Sequence, residues 1–370
     1  MKDLGIERIE VYRASLKYRE PFRIALGTST QSENIIVKVI TDFKVEGWGE
    51  ASPSFRITGE TPETVIETID KIGPKMIGMC PFRIEGIVDV MDELVEGNSS
   101  AKAAIDMAIF DIIGKKAKKP IFMLLGGYRN EVFTDITLSI KTPRQMAKDA
   151  VKAVRRGFKA LKVKVGVSPQ QDVERIKRIR ETVGPEIAIR TDANQGWNVR
   201  QAIDVIRKLE PYNVELVEQP VKAEDIKGLA RVRKNSSIPV MADESVHSPE
   251  DAIQVIRAEA VDLINIKLMK TGGIWKAMKT SAIAEAAKIP CMVGCMGESN
   301  LGITAAAHFA AAVKNIQHAD LDSDILLLDK LVKRGGAKVK DSKRILPRKN
   351  GLGITTLDDK LLGKPVKVYK

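Results

Sequence analysis

The sequence predicts an α/β protein, a (β/α)8-type barrel of the modified TIM kind carrying an α+β capping domain. Two observations lead there. Residues 1 to about 60 read as strands and turns, and residues 61–126 turn helical. From there on, eight short apolar segments recur about every 25 residues, with amphipathic helical stretches between them, which is the rhythm of repeated βα units closing a barrel. A doubly wound sheet usually opens on a glycine-rich GxGxxG turn, and no such turn occurs here.

Taken in order, IERIEVYRASL, NIIVKVITDF and VEGWGEASP are the first strands. PFRIALGTSTQSE (21–33), polar and glycine-bearing, is expected to be a mobile loop between the first two. ETPETVIETIDKIGPKMIG and AKAAIDMAIFDIIGKKA (101–117) carry apolar residues at helical spacing. LLGGYRN (124–130) then punctuates the chain. The eight barrel strands are expected at 134–139, 160–165, 187–194, 214–220, 240–245, 263–268, 290–295 and 316–322. The division is therefore 1–126 capping domain, 127–325 barrel, and 326–370 a C-terminal segment packing back toward the cap.

Composition is that of an ordinary globular enzyme, 44% hydrophobic and 29% charged, which argues against disorder. No apolar run reaches membrane-spanning length, and MKDLGIERIEVYR lacks an apolar signal core. The three cysteines, Cys80, Cys291 and Cys295, show no metal-binding spacing, so reduced thiols and a cytoplasmic location are expected. The net charge of +12 is spread along the chain, often beside acids, with clusters only at 115–119 and 330–344. Solvated surface explains these better than a specific nucleic-acid partner. Nothing fixes an oligomeric symmetry; self-association is left open.

The polar strand ends carry the chemistry. Lys164, Asp192, Glu218, Asp243 and Lys267 follow one another at intervals of 28, 26, 25 and 24 residues, one per unit and at one height. Barrel enzymes work from this end of their strands. Three hard carboxylates without histidine or cysteine favour Mg²⁺, with an acid–base carboxylate pair as the competing reading. In LKVKVG (161–166) the lysines share one face and the apolar residues the other, so Lys162 and Lys164 point into the barrel. Lys164 and Lys267 then flank the metal, and neighbouring positive charge would lower a lysine pKa toward that of a working base. Opposed bases beside a Lewis acid suit removal of a proton α to a carboxylate; a Schiff-base lysine is the rival role. Asp320 and Asp322 at the last strand would repel one another without a cation, and a substrate ammonium would supply it; helix capping is their alternative. Glu298, Ser299 and Thr137 stand at strand ends and could line the site, with Arg190 and Asn194 behind Asp192. Glu244 reads as buried support, His308 as a core residue, and His318 is open.

KVKVG, TDANQGW (191–197), VEQP (217–220), MADES (241–245) and INIKLMKTGG (264–273) resemble the enolase superfamily, muconate-lactonizing subgroup; GEASP (49–53) and AIDMAIFDIIGK (104–115) extend the likeness over nearly the whole chain. GCMGESNLGITAAAH (294–308) and HADLDSD (318–324) are most similar to dipeptide epimerases of the L-Ala-D/L-Glu type. The resemblance implies Asp192, Glu218 and Asp243 as Mg²⁺ ligands and Lys164 and Lys267 as bases on the two faces of the α-carbon, working through an enediolate. It implies Lys162 against the substrate carboxylate, and Asp320 and Asp322 on the α-ammonium of a dipeptide. Gly27 stands where Glu-specific members have arginine. Arg23 and Arg56 are the candidates to replace it, and hydrophobic or aromatic side chains are the alternative. N-acylamino-acid racemase and o-succinylbenzoate synthase are the rival activities within the fold, and a noncatalytic basic binding protein the rival outside it.

Overall fold

The computed structural model describes residues 4–370. Strands β1 (Ile6–Ile24), β2 (Gly27–Thr41) and β3 (Glu46–Ala51) form an antiparallel sheet. Its inner face, with Ile9, Val11, Ile35, Val37 and Val39, packs on three helices, α1 (Pro62–Met76), α2 (Ile84–Leu94) and α3 (Ser99–Lys116). Thr61 and Thr64 form a capping box with Pro62 in the first turn, which starts α1 where the sequence turns helical.

The expected loop over 21–33 is instead a paired hairpin. Phe22 pairs with Ser29, Arg23 with Thr28 and Ile24 with Gly27, leaving a turn at Ala25–Leu26. The sheet projects past its own helices here, so neither face is buried and no apolar alternation marks it as strand.

Helix α3 is buried on nearly every side, Ala104 and Ile105 toward the cap sheet and Ala103, Met107 and Phe110 toward the barrel. It lies so close to β3 that a Cβ on Gly49 would meet the carbonyl oxygen of Ala104 at 1.8 Å. Gly49→Ala is therefore expected to destabilise the protein by about 1–3 kcal/mol, read as a lower urea midpoint with an unchanged slope. From α3, Asp106 accepts backbone N–H bonds from Ile274 (2.5 Å) and Trp275 (3.3 Å) at the start of a barrel helix, which ties cap to barrel.

A short strand β4 (Glu131–Phe133) leads into the barrel strands β5 (Ile136–Leu138), β6 (Ala160–Lys164), β7 (Ala188–Asp192), β8 (Val214–Glu218), β9 (Val240–Ala242), β10 (Leu263–Ile266), β11 (Cys291–Val293) and β12 (Ile316–Ala319). They form one parallel sheet in sequential order, curled until the amide of Asp135, just before β5, donates to the carbonyl of Ala319 in β12 at 3.2 Å. The strands stop earlier than the apolar pattern suggests, so Asp243 and Lys267 lie one residue past their strands. Leu161, Val163 and Val165 are buried outward under the helices, while Lys162 and Lys164 face the interior. Leu216, Met241, Leu263 and Met292 form a separate apolar cluster beneath the charged layer. After the barrel come β13 (Val332–Gly335), β14 (Lys338–Lys340), β15 (Lys343–Ile345), β16 (Ile354–Leu357) and β17 (Lys367–Tyr369). Of these, β15 pairs with β4 and β17 with β1, Ile9 opposite Tyr369. Among the described residues no helix is long and apolar enough to cross a membrane.

Candidate active site

The parallel register aligns Lys164, Asp192 and Glu218 side by side, and Asp243 follows on the next strand. Asp192, Glu218 and Asp243 are fully buried, each with an oxygen within 4.8 Å of the others. Four buried lysines answer them. Lys162 Nζ lies 3.1 Å from Asp192, 2.7 Å from Glu218 and 2.7 Å from Asp320. Lys164 Nζ donates to Asp192 at 2.6 Å, and Lys267 Nζ to Asp243 at 2.6 Å. Lys270 approaches the second oxygen of Asp243 at 2.7 Å. Asn265 donates to Glu218 at 2.8 Å, and Gln219 takes the amide of Asp243 at 2.9 Å.

These contacts bias how the buried groups titrate. Burial opposes the charge on Lys162, but Asp320, Glu218 and Asp192 outweigh it and hold the ammonium well above the usual lysine range. Burial likewise opposes charge on Lys267, and Asp243 raises it. At these two lysines the neighbouring carboxylates together outweigh burial, so the expected fall in lysine pKa is reversed there. Burial works against Asp243 as well, yet Lys267 and Lys270 keep it well below the carboxylate range. Glu218 is pushed up to about 7 by burial, with Asp192 adding to the effect.

The trio fits Mg²⁺. Its donors are all hard carboxylate oxygens on adjacent strands, within 4.8 Å of one another, and the ammonium groups of Lys162 and Lys270, 2.7 Å from Glu218 Oε2 and Asp243 Oδ1, mark them as oxygens that gather positive charge.

Asp320 and Asp322 close the opposite side of the mouth. Asp322 Oδ2 accepts from the amide of Thr137 at 2.5 Å, and Thr137 Oγ1 lies 3.4 Å from Asp320. Asp322 precedes the short helix Ser323–Leu326 but makes no side-chain capping bond, so the capping alternative fails. Lys162 and Lys164 hold Asp320 down at about 2 against its burial, whereas burial and then Asp320 push Asp322 up to about 7.

A chamber of 430 Å³ opens above these groups, walled by Tyr18, Phe22, Ile24, Ile57, Arg56 and Met296, with Lys164, Lys267, Asn194 and Cys295 at its base. A wider groove of 970 Å³ beside Trp197 and Arg200 contains none of the trio and none of the four lysines around it. Arg56 reaches the chamber, its guanidinium over Gly27, where a Cβ would stand 2.5 Å from Cζ. Arg23 does not reach it; strand alternation turns it outward between Phe22 and Ile24, and its amide binds Ser139. Glu298 and Ser299 are also held elsewhere. Glu298 folds back on the amide of Met296 at 2.5 Å, and Ser299 donates to Glu50 of β3 at 2.7 Å. Arg190 sits deeper and pairs with Asp135 at 2.9 Å and with His318 at 2.9 Å. Asn194 binds Glu244 at 3.1 Å, which supports that buried acid, and His308 is a core residue taking the amide of Phe122 at 3.2 Å. Lys270, Asn265, Gln219, Tyr18 and Phe22 were not singled out from the sequence. For Lys270 and Asn265 a signal existed, since both lie within four residues of Lys267 in INIKLMK.

Eight parallel strands carrying an all-oxygen metal site between lysines define a class, the barrel enzymes that move a proton next to a carboxylate. Residues 145–360 match the family described as Enolase C-terminal domain-like, and residues 8–126 match the Mandelate racemase / muconate lactonizing enzyme N-terminal domain. The chain belongs to this enolase superfamily, in its mandelate-racemase/muconate-lactonizing subgroup. It is 48% identical over 321 residues, 86% of this chain and 91% of the other, to a hydrophobic dipeptide epimerase of Enterococcus faecalis. It is 42% identical to an L-Ala-D/L-Glu epimerase of Clostridium acetobutylicum, over 96% of this chain and 99% of that one. An N-succinyl-L-Arg/Lys racemase of Bacillus cereus is 40% identical over 97% of each chain. The crystal structure of the Enterococcus faecalis dipeptide epimerase with Mg and L-Leu-L-Tyr superposes with a TM-score of 0.93 at 46% identity, covering 95% of this chain and 100% of that one.

Proposed function

We propose that the protein is a Mg²⁺-dependent dipeptide epimerase that inverts the α-carbon of the C-terminal residue in dipeptides of the L-Ala-D/L-Xaa type. The observation that carries this is the pairing of Lys164 and Lys267. They stand on β6 and just past β10, four strands apart in an eight-stranded barrel, hence on opposite sides of the trio, and both face one chamber. Bound to Asp192, Glu218 and Asp243, Mg²⁺ would supply Lewis-acid stabilisation of the substrate carboxylate as charge develops on it. Lys164 takes or gives the proton on one face of the α-carbon and Lys267 does so on the other, one neutral while the other is an ammonium. Lys162, held charged by three acids, adds a fixed positive charge beside the carboxylate. Asp320 and Asp322 hold the free ammonium, and this is what separates a dipeptide from an N-succinyl amino acid, whose anionic acyl group would meet two buried acids. The apolar wall of Phe22, Ile24, Ile57 and Met296 supports an apolar or aromatic Xaa, and Arg56 keeps an acidic Xaa in range. The compartment proposed is the cytoplasm, supported by free thiols at Cys80, Cys291 and Cys295.

The test is a panel of L-Ala-L-Xaa dipeptides and N-succinyl amino acids incubated with protein and Mg²⁺ in D₂O, read by mass for α-deuterium. Uptake in dipeptides is expected. Uptake confined to the N-succinyl compounds would assign a racemase instead, and none in any compound overturns both.

A further inference from the structure

The chamber shares one wall with a second cavity. This cavity, of 190 Å³, lies between the base of the β1–β2 hairpin, β5 and the helix Ser323–Leu326. Tyr18 and Phe22 line both spaces, and their rings stack with centroids 5.6 Å apart and planes at 15°. Tyr18 is anchored by a backbone bridge to Leu327, and its hydroxyl would lie 3.0 Å from a Cβ on Gly297, so the ring is wedged across the mouth where β5 and β12 meet. The same seam holds Asp320 and Asp322, both touching Thr137, and Thr137 lines the second cavity as well. A residue whose ammonium sits on these acids therefore has its side chain beside Tyr18.

Most of the charged groups around the second cavity are already engaged. Lys141 binds Glu20 and, at 2.8 Å, Asp149; Lys152 binds Asp149 at 3.0 Å. Arg19 donates to the carbonyl of Ile325 at 3.1 Å, and Arg156 lies over the ring of Phe158. Besides the exposed guanidinium of Arg156, what is left to meet a ligand is apolar: Ile136, Leu138, Ile325 and Leu326.

We infer that Tyr18, backed by Phe22, limits the size of the N-terminal side chain of the dipeptide, and that the cavity behind it is a latent subsite for a bulky apolar side chain there. The inference rests on the dipeptide-epimerase reading. The limit is steric, so the ring matters and the hydroxyl does not.

The experiment measures kcat/KM by α-deuterium exchange for L-Ala-L-Xaa, L-Phe-L-Xaa and L-Lys-L-Xaa, Xaa being the C-terminal residue the wild type exchanges fastest. Tyr18→Ala is expected to shift the Phe/Ala ratio toward L-Phe by about tenfold or more, the range a few added methylenes can command. Under Tyr18→Phe the ratio stays within about threefold of wild type, and Lys/Ala moves less than Phe/Ala. Tyr18→Leu, a smaller change in the same direction, gives an intermediate shift and serves if the alanine variant does not fold. A Phe/Ala ratio unmoved in folded Tyr18→Ala or Tyr18→Leu overturns the inference while the wild type still exchanges L-Ala-L-Xaa. An equal gain for L-Lys overturns it too. A wild type that exchanges no dipeptide overturns the epimerase reading, and this inference with it.

Discussion

Lys164→Ala is expected to abolish net epimerisation yet leave hydrogen exchange intact for one epimer of the substrate. With a base on each face, the lysine that remains still removes and returns the α-proton of the epimer whose C–H bond points at it, and solvent deuterium enters without inversion. The epimer pointing at the missing lysine should lose exchange by about 10²–10⁴-fold, the usual contribution of a positioned acid–base group. Lys267→Ala should show the mirror pattern, retaining the epimer that Lys164→Ala loses. The geometry makes the two variants separable: Lys164 pairs with Asp192 and Lys267 with Asp243, so neither substitution removes a partner of the other base. Exchange measured separately on the L,L and L,D dipeptides reads the outcome. If both variants lost exchange from the same epimer, one lysine would be serving both faces and the opposed-base mechanism would fail.

What made this array legible in the sequence was its period. One polar residue per βα unit, at the point where an apolar strand ends, survives any error of a residue or two in strand boundaries, and it located Lys164, Asp192, Glu218, Asp243 and Lys267 together. The cap was less legible. The β1–β2 hairpin from Pro21 to Glu33 buries neither face and so shows no alternation, and its pairing is backbone-only information. The hairpin turns Arg23 away from the chamber, between Phe22 and Ile24, and unless the strand is recognised the sequence does not say which side it faces. For Ser299 and Glu298 the limit on reading the sequence is a different one. Their neighbours in space include Glu50, some 250 residues earlier, and no local pattern announces that a serine will be spent on a distant carboxylate. Lys270 escaped because its role lies in the electrostatics of the folded site. A lysine three residues after Lys267 looks like helix surface until the chain is closed around Asp243.

That buried lysine carries the second large prediction. Asp243 is the sole carboxylate paired with Lys270 among the described residues, at 2.7 Å, and it also pairs with Lys267 at 2.6 Å; the other hydrogen-bond partners of Lys270 are the carbonyl oxygens of Asp243 and Asn265. Asp243→Asn leaves two buried ammonium groups, Lys267 and Lys270, without a paired anion. Breaking a buried pair from one side costs about 3–5 kcal/mol, to be read as a lower urea midpoint without added metal. Asp192→Asn should cost less, because Lys162 keeps Glu218 and Asp320 when Asp192 is neutralised, and Lys164, which loses its paired acid, lines the chamber instead of being sealed beneath it. Both variants should lose the rise in stability on adding Mg²⁺, which for an intact site at a hundredfold excess over Kd is about 2.7 kcal/mol. The two effects thus separate, metal response failing in both and metal-free stability mainly in one. Adding Lys270→Met to Asp243→Asn removes the more deeply buried of the two stranded charges, so the double variant should be more stable than Asp243→Asn alone. Simple additivity of the two substitutions would mean that Lys270 is not held by Asp243 at all, because coupled neighbours in one ion-pair network do not add.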